Sequence, residues 1–207
     1  MTTPRPLFFS DLVPFDTQVH RQLTLPVQRQ GFAFAGQATL LPLTIAEVSV
    51  ALQHYPIVFV VEGQTVALVA MTGLAGGRNQ FVDASGEWRP GAYIPAYVRG
   101  YPFIAIRPSE TAEPILAFDP NASDFKASGG QPLLSADGQP GEQLKGIMAF
   151  QSEYRHLAER TTLITQALKE AGVLEEGSLQ LQASEKDSEA QKIGGFLIVS
   201  EAKLKAL

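Results

Sequence analysis

The chain contains no cysteine, one tryptophan and three histidines among 207 residues. The missing thiols exclude disulfides, thiolate nucleophiles and cysteine metal sites together. They leave the compartment open, because a cysteine-free chain tolerates either redox state. His20, His54 and His156 have no HxxxH-type spacing, and the acids around them form no recognisable ligand set. No metal and no cofactor is therefore expected. Positive charge is also short. Lys and Arg number 16 against 21 Asp and Glu, a net charge of −5. A nucleic-acid partner needs a basic face, and the Lys and Arg residues here are scattered. A long apolar run is missing too. The most apolar stretch, IVFVVEGQTVALVAMTGL, is broken by Glu62, Gly63 and Gln64. It reads as two strands around a turn and not as a membrane span. The opening MTTPRPLFFSDLVPFD lacks a basic region followed by an apolar core, so no signal peptide is expected. These absences together predict a soluble cytoplasmic protein.

Nucleotide and hydrolase signatures are absent as well. There is no GxSxG elbow, and GLAGGRN fits neither GxGxxG nor GxxxxGKS. Arg78 in that stretch is either a phosphate-type contact over glycine amides or the tip of a mobile hairpin.

What is present is a globular balance, with 45% hydrophobic and 18% charged residues. The length fits one domain over 1–207. The stretch 121–143, rich in Gly, Ser, Asp and Pro, is the place where a sub-lobe boundary would fall.

Local signals divide the chain. Residues 1–30 are polar and proline-punctuated and read as an extended arm. GFAFAGQATLLPL has the composition of two short strands around Gly36. Thr44 and Glu47 have capping-box spacing at a helix start, and Ile45, Val48 and Leu52 follow at helical intervals. Pro56 disfavours helical geometry at Tyr55 and ends that helix. A second Tyr-Pro pair recurs at Tyr101 and Pro102. There Pro95 suits a first helical turn and Gly100 a left-handed helix end. Both pairs precede apolar runs, IVFVVE and FIAIR, so two helix-to-strand corners feeding one sheet are expected.

VALVAMT reads as a strand, QFVDASGEW as a hairpin with its tip at Asp83 to Gly86, and EPILAFD as a further strand. Ile147, Phe150, Tyr154, Leu157, Thr161, Ile164 and Leu168 alternate spacings of three and four. They predict one long helix ending near Gly172. Its stripe packs on the sheet, on another helix, or on a second copy, which would make a homodimer through 147–168. Thr161 weakens such a seam. SLQLQA and IGGFLIV read as strands around the polar loop SEKDSEAQK, and SEAKLKAL as a helix with Ser200 at its N-cap. Without regular βαβ alternation, the pattern predicts an α+β fold. Its sheet is mostly antiparallel, with the long helix packed on it.

Candidate functional residues gather at the corners: Tyr55, Trp88, Tyr97, Arg99 and Tyr101, with Tyr93 nearby and His54 at the first bend. Aromatic rings with an arginine suit a recognition groove. The same tyrosines also suit wedges that anchor their hydroxyls to the backbone. His54 is equally a helix-end cap or a base. Asp83 and Glu87 flank a turn glycine, where Asp is favoured for local hydrogen bonding.

The blocks HYPIVFV, GLAGGRNQFVDASGEWRPGAYIPAYVRGYPF and LLSADGQP, then the long helix, then GGFLIVSEAKLKAL, resemble the SapC family of bacterial proteins in order and spacing. The resemblance implies no catalytic motif. It implies an accessory role, linked to surface-layer export or to gene neighbourhoods with outer-membrane receptors and flavin-dependent halogenase-like enzymes. AFDP at 117–120 stands where many relatives carry a cysteine, so no thiol role transfers. The expected function is a non-enzymatic accessory or binding protein holding a peptide, a small ligand or a partner protein. The alternatives are an enzyme of unrecognised class in which His54, Arg99 and Asp119 converge, and a structural homo-oligomer.

Overall fold

A computed structural model describes residues 5–74, 77–109, 111–126, 129–181 and 191–207. In chain order the strands are β1 (Val13–Pro14), β2 (Thr24–Leu25), β3 (Leu40–Pro42), β4 (Ile57–Glu62), β5 (Thr65–Met71), β6 (Phe103–Ile106), β7 (Ile115–Phe118), β8 (Gln131–Pro132), β9 (Leu174–Leu181) and β10 (Gln191–Val199). The α-helices are α1 (Val48–Ala51), α2 (Ala96–Gly100), α3 (Glu142–Glu170) and α4 (Glu201–Lys205). Short 3-10 turns cover Ala33–Ala35, Ile45–Glu47 and Ser123–Lys126.

The fold is α+β, as the unalternated pattern predicts. One sheet has five strands in the order β3-β5-β4-β10-β9, and a second has three in the order β1-β7-β6. Among the described residues every pairing is antiparallel. The small pair β2-β8 completes the set. β5 is apolar on both faces. Val66, Leu68 and Ala70 join the main core with Leu41, Tyr55, Phe59, Trp88 and Val98. Val69 and Met71 point the other way, to Val58 and Phe196. Burial on both sides explains why VALVAM shows no alternation.

The 29-residue α3 packs on both β5 of the large sheet and β6 of the smaller one. The 147–168 stripe is thus used within the chain. Its polar interruptions have work of their own. Gln151, buried, donates from Nε2 to Phe103 O at 2.7 Å and to Gly100 O at 3.1 Å. Thr161 Oγ1 accepts from the Ile45 amide at 2.8 Å and donates to Leu157 O at 2.6 Å. One helix therefore pins both corners, and Thr161 satisfies an amide at the first that a leucine would leave unpaired.

Several expectations need correction. The two corners form, with β4 starting directly after Pro56 and β6 after Pro102, but they feed different sheets. Gly100 is not left-handed. It lies against α3, where an added Cβ would come within 2.6 Å of Gln151 Nε2 and 3.3 Å of Phe150 Cε1. Close helix approach, not turn chirality, calls for glycine there. GFAFAGQATLLPL holds one strand, because Ala33–Ala35 is a 3-10 turn.

The N-terminal arm is part of the body. β1 pairs with β7, β2 with β8, and Phe9 and Leu25 are buried. Polarity counts miss this, since a few rings anchor a strand that is otherwise solvated. In the stretch 121–143, Leu133 and Leu134 are buried in a core shared with Phe103, Phe118 and Leu144. Arg78 is exposed, whereas neighbouring Asn79 is fully buried and donates from Nδ2 to Ala35 O at 3.2 Å. The polar stretch SEKDSEAQK lies outside the described residues apart from Gln191 and Lys192, which open β10. Ser200 stands at the N-cap of α4, as expected, although its side chain makes no capping bond.

Candidate functional site

The corners come together around one buried carboxylate. Glu47 Oε2 accepts from the Thr44 amide at 2.9 Å and from its hydroxyl at 2.8 Å, closing the first helix start. Oε1 accepts from the Ala96 amide at 2.7 Å and the Tyr93 hydroxyl at 3.0 Å, closing the second. A carboxylate suits both tasks, since the free amides of a helix start favour negative charge. Tyr55 Oη in turn donates to the Tyr93 carbonyl. Thr44-x-x-Glu47 announces the first half of this arrangement. Nothing local announces the second.

The aromatic candidates separate from this junction outward. Tyr55 and Trp88 lie in the main core, packed edge-on against Phe81 and Phe32 respectively. Burial pushes the Tyr55 phenol up to about 12. Tyr101 is buried, stacked on Phe34 with ring centroids 4.3 Å apart, and its hydroxyl reaches Asp119 Oδ2 at 3.4 Å. Tyr97 donates to Leu7 O at 2.9 Å, holding the arm, and its ring lies beside Phe8 and Tyr154. Burial raises the Tyr97, Tyr101 and Tyr154 phenols well above the ordinary range.

Arg99 is exposed. It bonds to Ile94 O at 3.1 Å and stands over the Phe150 ring at 5.3 Å. His54 is half-buried beside Tyr55, with ring centroids 6.0 Å apart.

His54, Arg99 and Asp119 share no hydrogen bond among the described contacts. Asp119 is occupied elsewhere, by the Ser10 amide at 2.6 Å, the Ser10 hydroxyl and the Asn121 amide. Asp83 makes a turn: Oδ1 accepts from the Ser85 amide and hydroxyl and from the Glu87 amide. The Ser85 hydroxyl, then the Glu87 amide, hold its carboxyl below the usual range.

A cleft of about 330 Å³ opens beside the second corner. Gln143, Gly146, Ile147 and Phe150 supply one wall from a single face of α3. Leu25 to Val27 and Arg29 supply the opposite wall, Arg99 to Phe103 close one end, and Asp124 also lines it. Of the residues singled out from the sequence, Arg99 and Tyr101 reach this cleft, while Tyr55, Trp88, Tyr97 and His54 do not line it.

Arg29, unmarked by any motif, is its most unusual residue. Its guanidinium lies 5.1 Å from the Phe34 ring, and Nη2 donates to Tyr101 O. Nη1 is buried and has no partner. Desolvation lowers the Arg29 pKa, and nearby Asp124 and Tyr101 offset part of that shift. Gln143 presents the complementary orphan. Its Nε2 donates to Pro26 O at 2.9 Å, and this bond sets the amide orientation and leaves Oε1 buried without a donor.

Antiparallel sheets clamped by one long helix define an α+β protein. The SapC family model matches residues 15–207, nearly the whole chain, and the protein belongs to the SapC family. No curated protein matches this chain. No solved structure matches it. Among the described residues, no helix is long and apolar enough to cross a membrane.

Proposed function

We propose that the protein is a non-enzymatic binding protein whose ligand, a peptide or small organic molecule, occupies the cleft between α3 and the Leu25–Arg29 segment. The observation that carries this reading is the cleft itself, about 330 Å³, where Arg29 and Arg99 line the same space as the apolar Leu25, Ile147 and Phe150. The volume falls at the low end of ligand sites, which run from roughly 300 to 1,000 Å³.

Gly146 adds weight. It sits inside α3, where glycine costs about 1 kcal/mol relative to alanine. An added Cβ would meet nothing within 4 Å, so packing gives no reason for it. On a cleft wall, a bare helix backbone leaves room for a guest. In this reading Arg99 guards the rim, and the buried tyrosines hold the corner that forms the end wall. A receptor of this kind suits the accessory role that the surface-layer and gene-neighbourhood associations of the family suggest.

The test is a plug. Gly146→Leu places a side chain in the cleft and should leave folding intact. Random heptapeptides on phage and a fragment library, the latter read by NMR line broadening, should give hits on the wild type that Gly146→Leu abolishes. Hits indifferent to the plug, or none on the wild type, would sink the reading.

A further inference from the structure

Leu7 to Ser10 of the N-terminal arm are held the way a bound peptide is held. Side chains of the body grip their backbone, and apolar recesses take their rings. Tyr97 Oη donates to Leu7 O at 2.9 Å. Asp119 accepts from the Ser10 amide at 2.6 Å and from the Ser10 hydroxyl at 3.1 Å. Phe9 is buried edge-on to Tyr101, with ring centroids 5.2 Å apart, in a cluster with Ile104 and Ala122. Ala96, Tyr97, Gly100, Phe103 and Tyr154 line the same recess, where only about 10 Å³ stays empty. Phe8 lies 5.0 Å from the Phe34 ring and 5.6 Å from that of Tyr97. Strand pairing plays no part in this hold, since β1 starts at Val13.

Three observations mark the occupant as exchangeable. Arg5, Leu7, Ser10 and Asp11 are exposed, so the arm lies on the surface and lifts without moving another element. Phe8 is third in the turn that the Phe9 amide closes on Pro6 O, and its φ is +78°. That turn position favours glycine, so local preference pulls the arm away from the shape that docking imposes. The family match over 15–207 takes in Tyr97, Tyr101 and Asp119 but not Leu7 to Ser10. The shared part of the chain thus holds the site and not its occupant.

We propose that this groove is a peptide-recognition site that the chain's own arm fills in cis. Its partner is an extended protein segment with two adjacent aromatic residues followed by serine or threonine. The first ring packs on Phe34 and Tyr97, and the second enters the recess beside Tyr101. The carbonyl before the pair accepts from Tyr97, and the amide after it donates to Asp119. Backbone bonds give such a complex affinity and the ring pockets give it specificity. A tethered segment acts at roughly millimolar effective concentration. The arm therefore screens out weak segments and yields to tighter ones.

The test uses the full chain and a fluorescein-labelled octapeptide with the arm's own sequence, RPLFFSDL, read by anisotropy. Wild type should bind it weakly. Phe8→Ala/Phe9→Ala, which empties the site, should bind it at least about tenfold more tightly. The scrambled peptide LSRFPDFL, which separates the two rings, should bind that variant at least about tenfold more weakly than RPLFFSDL. Adding Tyr97→Phe should cost about fivefold in affinity, the value of one hydrogen bond. If the double alanine variant fails to fold, Ser10→Pro gives the same comparison. It removes the amide that meets Asp119 and keeps both rings in the chain. Hydrogen exchange of the wild type is an independent reading. The Ser10 amide should exchange at least about tenfold faster than the β5 amides of Leu68 and Ala70.

Equal affinity of wild type and the loosened variants would show that the arm is no competitor and overturn the proposal. Equal binding of the scrambled peptide, or no binding at millimolar concentration, overturns it as well. Exchange of Ser10 at the β5 rate would mean that the arm leaves only when the whole chain unfolds, and that result also removes the site.

Discussion

The carboxylate of Glu47 accepts a hydrogen bond from the backbone amide of Ala96 at 2.7 Å, across 49 positions of sequence. A residue that caps its own helix start therefore caps a second one. The two Tyr-Pro corners enter separate sheets, yet they hang from the same pair of oxygens. Removing that pair orphans up to four donors: the Thr44 amide and hydroxyl, the Tyr93 hydroxyl and the Ala96 amide. Glu47→Ala should destabilise the fold by about 3 kcal/mol or more, within the range for a lost buried network. Glu47→Gln should cost nearly as much, because its NH₂ would face donors. Urea denaturation measures both, and a change below about 1 kcal/mol would contradict the double-cap role.

The five tyrosines of the chain, at 55, 93, 97, 101 and 154, all have phenols pushed upward, with burial the leading cause at each. A protonated phenol is favoured in the fold, so below the ordinary tyrosine pKa near 10 this contribution is fully present. Above it the unfolded chain releases protons that the folded chain holds, and stability falls as pH rises. For Tyr55 the loss runs from about 10 to about 12. Absorbance at 295 nm and circular dichroism recorded along one alkaline titration should change together. Smooth phenol ionisation near pH 10 in a protein that stays folded would refute the burial of these rings.

Two glycines of the cleft wall should respond in opposite directions. At Gly146 an added Cβ meets nothing, so Gly146→Ala should raise stability by about 1 kcal/mol through helix propensity alone. At Gly100 the new methyl would press on Gln151, whose amide is held by two carbonyls. Gly100→Ala should destabilise by about 1–3 kcal/mol, as overpacking does. Thermal unfolding of the two variants side by side decides the matter. A stabilising effect at both positions would mean that α2 and α3 are not in close contact.

The arm should behave as structure and not as a tail. Phe8 and Phe9 pack on Tyr101, Tyr97 bonds to Leu7 O, and Asp119 receives the Ser10 amide. Phe8 has a φ of +78°, a strained value for a side chain of its size that these contacts hold in place. Deleting residues 1–10 should lower stability by about 2–5 kcal/mol, mostly from the two rings, and expose aromatic surface to a hydrophobic dye. Asp119→Asn alone should cost about 1–3 kcal/mol. An unchanged melting temperature after the deletion would show the arm to be a free extension.

The sequence alone determined the elements whose causes are local. Pro56 and Pro102 stop helices and open strands through steric restriction of the residue before them. The spacing from Ile147 to Leu168 predicts α3 because a helical period needs no distant partner to be visible. Thr44 and Glu47 announce a helix start, and Asp83 to Gly86 a turn, for the same reason. The recurring blocks carry the family resemblance that the match over 15–207 establishes.

Tertiary structure alone decided which sheet each corner feeds, and that Glu47 and Thr161 serve segments far from their own. It also turned most of the aromatic cluster inward and left Arg99 and the end wall at Tyr101 to meet Arg29, Gln143 and Gly146 in one cleft. Those last three residues come from an arm and a helix more than a hundred positions apart, and none sits in a motif. Hydrogen bonds and burial at such separations depend on how the chain packs, and local pattern carries no trace of them.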